Sequence, residues 1–149
     1  MNIVFNRMDY KIMQKIVVVA VLLGLLGCQE KSEYEAAVME QLKKDQDVMD
    51  YKVDINEMAK CVVMETSSKM PGFTPLDPRK KEAYESYIRM MKLAESTDPV
   101  GEIKELAVAF GSAKSLAEAR ANYAQSVVEC LNGIVTAGEE SLSEQKQAK

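Results

Sequence analysis

The sequence predicts an all-α protein, a small bundle of three to four helices, on three observations. From Val48 onward apolar residues recur at steps of three and four, the period of a helix packed on one face. The pairs Asp77-Pro78 and Asp98-Pro99 each place an N-capping carboxylate before a proline suited to the first helical position. No run of alternating β-branched residues and no Asn-Gly or Asp-Gly hairpin turn is present.

Residues 31–44 are compatible with a helix, since Tyr34, Val38 and Leu42 stand at spacing four. Asp45 and Gln46 fall where the next apolar pair should come, so residues 28–44 read as a tether or a loosely docked helical segment. The first regular helix carries Val48, Tyr51, Ile55, Met58 and Val62 on one seam and ends before Ser67-Ser68. Ser67 to Asp77, with Pro71-Gly72 and Pro75, is a loop. Tyr84, Tyr87, Ile88, Met91 and Ala94 form the buried face of the second helix. A short third helix turns Val100, Ile103, Leu106, Ala107 and Phe110 inward and meets Gly111 as a stop or kink. Ser115 with Glu118 has capping-box spacing, and Ser112 is an equal choice of cap. The last helix aligns Leu116, Tyr123, Val127, Cys130 and Ile134 and ends near Gly138. A bundle domain over 45–138 and a disordered polar tail over 139–149 follow.

The start of the chain fixes location rather than chemistry. Arg7, Lys11 and Lys15 precede the apolar run Ile16–Gly27, which is shorter than the roughly 18 residues needed to span a bilayer. Met13-Gln14-Lys15 would open a compact signal peptide by itself, and the mature chain is the same from either start. The run closes on Leu25-Leu26-Gly27-Cys28, and here the chain resembles bacterial lipoproteins, whose lipobox has this pattern. The resemblance implies a signal peptide over 1–27 and cleavage after Gly27. It also implies diacylglycerol on the Cys28 sulfur and an acyl chain, such as palmitate, on its new amino group. Gln29 is not the Asp that tends to retain lipoproteins in the inner membrane, so the resemblance implies the outer membrane, with the protein facing the periplasm.

Residues 28–149 carry a net charge of −6, because Arg7, Lys11, Lys15 and Asp9 leave the −4 of the whole chain. A chain this acidic gains nothing from counterion release on nucleic acid and is repelled by anionic headgroups, so the lipid must supply the attachment. In an oxidising compartment the remaining pair, Cys61 and Cys130, is expected to form a disulfide. Measured from the predicted helix ends, each cysteine lies roughly 7 to 11 Å from its C-terminal end. A bridge needs Cα atoms within about 7 Å, so the first and last helices are expected to run parallel, with the 78–95 helix antiparallel between them.

With no histidine, Ser-His-Asp and Cys-His catalysis and His-based zinc or haem sites are excluded. Glu139-Glu140 and Glu102 with Glu105 could in principle form acid/base pairs, but such residues on helix surfaces are solvated in the main. The seven glycines are scattered and form no phosphate loop. Of the methionines only Met90-Met91 are close neighbours, so they read as core or interface packing rather than a copper site. No cofactor, metal or enzyme activity is expected.

The candidate partner-binding surface is the loop and the helix start beyond it: Met70, Phe73 and Leu76, then Arg79, Lys80 and Lys81. The alternative for Phe73 and Leu76 is to fold back and cap the bundle. Three basic residues oppose the dipole of the helix they begin, which hints at an anionic partner. The expected function is a non-enzymatic, lipid-anchored envelope module for protein interaction, assembly or accessory roles. The alternative is a periplasmic inhibitor or immunity-type lipoprotein whose acidic surface neutralises a basic toxin or hydrolase. The expected partner is another envelope protein, with self-association a further possibility because the third helix is short.

Overall fold

The computed structural model describes residues 29–74 and 77–147, with side chains described through residue 140. Among them are six α-helices, one 3-10 turn and no strand. The helices are α1 (Gln29–Leu42), α2 (Gln46–Asp50), α3 (Ile55–Ser68), α4 (Pro78–Met91), α5 (Pro99–Ala109) and α6 (Ala113–Gln147). The 3-10 turn, Lys92–Glu95, follows α4 directly.

Capping chemistry sets most of the boundaries. Asp45, Asp54, Asp77 and Asp98 each sit just before a helix and accept a hydrogen bond from a backbone N–H of its first turn. Ser112, rather than Ser115, begins α6: its hydroxyl accepts from the Ser115 N–H at 3.0 Å. Gly111 turns the chain from α5 into α6 at φ +87, a conformation that costs a residue with a side chain about 1 kcal/mol or more.

The helices run alternately along one axis, with the short α2 set in the first connection. Lys81 pairs with Glu30 at 2.8 Å, the Tyr34 and Tyr84 rings stand 5.6 Å apart, and Lys44 pairs with Glu95 at 3.2 Å, so α1 and α4 lie parallel. The Tyr34 hydroxyl meets Thr66 near the end of α3, which therefore runs the other way. Arg89 of α4 bridges Glu102 and Glu105, while Tyr87 stacks edge-on with Phe110, so α5 runs back along α4.

Four sequence expectations are corrected. First, residues 29–42 are no tether: Tyr34 and Val38 are fully buried and Leu42 nearly so, because α1 lies between α3 and α4. Asp45 interrupts the apolar seam because it caps α2. Second, the helix expected from Val48 breaks at Tyr51, which is exposed, and Lys52 takes φ +55 before Asp54 caps α3. At its other end α3 runs on through Ser67 and Ser68, whose hydroxyls donate back to the Met64 and Glu65 carbonyls. These changes raise the helix count above three to four. Third, the backbone of residues 139–147, expected to be disordered, continues α6.

Fourth, the helices joined by the disulfide are antiparallel. Cys61 and Cys130 are bridged as expected, with Cα atoms 5.9 Å apart. The Asn122 side-chain amide also donates to the Thr66 carbonyl at 3.4 Å. Thr66 follows Cys61 while Asn122 precedes Cys130. In a parallel pair these two residues would stand roughly 20 Å apart in height. Cys130 is the middle residue of the 35-residue α6, and Cys61 lies near the middle of the 14-residue α3. A bridge between midpoints forms in either direction, so it carries no information about polarity once the helix ends are known.

The core gathers Tyr34, Val38 and Leu42 with Met58, Val62 and Val63, then Tyr84, Tyr87 and Met91, and Leu106 with Val127 and Leu131. Val100 and Ile103, expected inward, are exposed, since Leu106 is the one buried residue of α5.

Candidate functional site

Of the six residues singled out from the sequence, Met70 and Arg79 line one hollow and Phe73 and Lys80 another. Leu76, like the lipidation residue Cys28, lies outside the described residues. Met70 is buried, and Phe73 is 93% exposed. Arg79 is tied to Asp77 by a hydrogen-bonded ion pair at 2.9 Å, which holds the Asp77 carboxyl down at about 2. The Lys80 ammonium donates to the carbonyls of Ser67 and Met70, on either side of the end of α3. Lys81 pairs with Glu30, and that hydrogen bond lowers the pKa of the carboxyl. The basic cluster at the start of α4 thus ties α1, α3 and the intervening loop together.

What the structure does bring together is a half-open cleft of about 470 Å³ between the end of α3, α4, and the junction of α5 with α6. Met70, Ala83, Tyr87, Phe110 and Ala119 give it apolar walls, and Lys69, Arg79, Glu82 and Glu118 stand at its margins. Its floor is polar. Asn122 donates through Nδ2 to the Tyr87 hydroxyl at 3.0 Å and to the Thr66 carbonyl. The amide is held by these two bonds, and its Oδ1 is buried with no hydrogen-bond partner. Burial raises the Tyr87 pKa, with the Asn122 bond acting against that rise, so the phenol stays protonated across the physiological range.

A buried amide oxygen without a partner costs about 1 to 3 kcal/mol, and native interiors rarely leave one. Beside it the Tyr87 hydroxyl has already accepted a bond and keeps its proton to donate. The cleft therefore suits a group with an apolar body, with the polar side chains of Tyr87 and Asn122 in its lining. Such a concave apolar site with a few convergent polar atoms is the usual form of a binding site. Met70 and Arg79 were identified from the sequence as partner-binding residues and Tyr87 as a core residue; Asn122 was not singled out. Asn122 sits one step off the seam residue Tyr123 and resembles any helix-surface amide in the sequence.

No group of three or more acidic, Cys or His residues positioned to hold a metal ion exists among the described residues, and no helix among them is long and apolar enough to cross a membrane. No family model, curated protein or solved structure matches the chain.

Proposed function

We propose that the chain is a non-catalytic lipoprotein of the bacterial outer membrane, held by acyl groups on Cys28 and facing the periplasm, that binds another envelope protein through the cleft above Asn122. The observation that carries this reading is the cleft itself, with apolar walls of Met70, Ala83, Tyr87, Phe110 and Ala119 and with Asn122 in its lining. It has the chemistry of a seat for a partner's aromatic or amphipathic side chain. The lipobox-like stretch supports the location, and the Cys61–Cys130 disulfide suits an oxidising compartment.

The test is photocrosslinking in intact cells from a reactive side chain placed at Ala109, an exposed residue on the cleft wall. One defined partner should be captured, and filling the cleft with Ala119→Trp should abolish the crosslink while the far-ultraviolet circular dichroism is unchanged. A crosslink indifferent to Ala119→Trp would remove the cleft from the binding site. Binding of the purified pair should persist in high salt. A complex that salt dissolves would support the inhibitor reading instead, with the acidic surface meeting a basic toxin or hydrolase.

A further inference from the structure

We infer that the end of the bundle carrying Phe73 lies on the membrane, with the Phe73 ring entering the lipid interface; this rests on the proposed acylation of Cys28. Gln29 begins α1 directly after Cys28, so the acylated sulfur is one residue from the bundle. The start of α1, the end of α3 and the start of α4 share this end, and Lys31 and Phe73 line the same shallow hollow with Met64. Helix rise and residue spacing put the hollow within roughly 10 Å of the anchor. That is about the depth over which amphipathic segments sit in an interface.

Phe73 is the most exposed of the large apolar side chains described, at 93%, with Met64 exposed beside it at 61%. Its exposure is built in. The Phe73 N–H donates to the Asp77 carboxylate at 3.2 Å, and the Arg79 guanidinium lies 5.9 Å from the ring centroid. Gly72 holds φ +91 with its Cα so close to Lys80 that a Cβ would stand 2.8 Å from the Lys80 nitrogen. Gly72 and Phe73 are thus held against Asp77, Arg79 and Lys80 with the aromatic ring turned to solvent, an arrangement that suits contact rather than the core. Two further features suit a lipid surface. Lys31 is an exposed lysine on the rim of this hollow, near enough to meet a headgroup phosphate, although the mature chain as a whole is acidic. Phe73 and Met64 add the apolar side chains that an interface absorbs.

The chain contains no tryptophan, so Phe73→Trp gives a single reporter at an exposed position where the fold is not disturbed. The full acylated protein would be reconstituted in phosphatidylethanolamine–phosphatidylglycerol vesicles, with Tyr51→Trp, also exposed, reporting from the opposite end. The expected result is blue-shifted Phe73→Trp emission, quenched several times more strongly than Tyr51→Trp by lipids brominated near the headgroup. Intact mass measured on the same sample separates the two ways of failing. An acylated protein whose Phe73→Trp is no more quenched than Tyr51→Trp overturns the docking and leaves the anchor standing. An unacylated mature chain overturns both. A blue shift without bromolipid quenching means protein covers the ring, and it too overturns the docking.

Discussion

The Tyr34 hydroxyl donates to Thr66 Oγ1 at 2.9 Å, and both side chains are fully buried. Thr66 passes the bond on to the Val62 carbonyl at 2.7 Å. This pair fastens α1 to the helix that carries the disulfide. Thr66→Val should cost about 1 to 3 kcal/mol, because the Tyr34 hydroxyl is then buried without a partner. Adding Tyr34→Phe should recover part of that loss, so the double variant costs less than the two single variants together. Urea unfolding of the four proteins checks this, and strict additivity would show that the bond does not couple the helices.

Alkaline titration should expose the same core. Burial raises the pKa of Tyr34, and that of Tyr123 is pushed up to about 12. A group whose folded pKa lies above its unfolded value withdraws stability as pH rises past the unfolded value, here 10.0. Stability is therefore full below that pH and falls above it. Tyrosinate absorbance and circular dichroism should change together in this range, and Tyr34→Phe should shift the transition to higher pH.

At the acid end the sign is reversed. Asp77 falls from 3.8 to about 2, chiefly through the hydrogen bond from the Arg79 side chain. Its contribution is present above 3.8 and disappears as pH drops through 2. Asp77→Asn should flatten the loss of stability across that window, measured as denaturant midpoints at stepped pH. Cleavage within the 69–77 loop by limited proteolysis at neutral pH should become faster in the same variant.

Reducing the bridge, or replacing Cys61 and Cys130 with alanine together, should lower stability by about 4 kcal/mol on the loop-entropy argument for a sequence separation of 69. That is a large share of the 5 to 15 kcal/mol usual for a domain, and roughly that loss should appear in urea midpoints measured with and without reductant. The antiparallel contact of Asn122 with Thr66 does not depend on the bridge, so the helix content of the reduced protein should persist below the transition.

Where structure depends on neighbouring residues, it was legible in the sequence. Asp77-Pro78, Asp98-Pro99 and Gly111 mark boundaries because capping is decided within one turn, and, with Cys28 read as the acylated residue, the other two cysteines had only each other. Tyr51 and Lys52 misled because Val48, Tyr51 and Ile55 keep helical spacing across a turn that is not helical. Asp54 and Glu57 carried the capping spacing that marks the restart. The packing of α1 is set by residues far along the chain, Thr66 and Tyr84, which a local period does not register. The polarity of α6 was misjudged because its last turns have no apolar seam to follow. The cleft is legible in three dimensions only, since its floor joins residues from three helices.

The length of α6 has a consequence for reach. Its 35 residues span about 52 Å, against about 21 Å for the 14 of α3 beside it. Because the disulfide joins the midpoints of α6 and α3, α6 extends roughly 15 Å beyond α3 at each end, and the overhang that carries its last turns projects from the end opposite the start of α1. With Cys28 acylated, the overhang would be a spacer of set height. Whatever meets the last turns of α6 would do so at a fixed standoff from the bilayer, and shortening the helix by whole turns would bring that meeting point nearer in steps of about 5.4 Å.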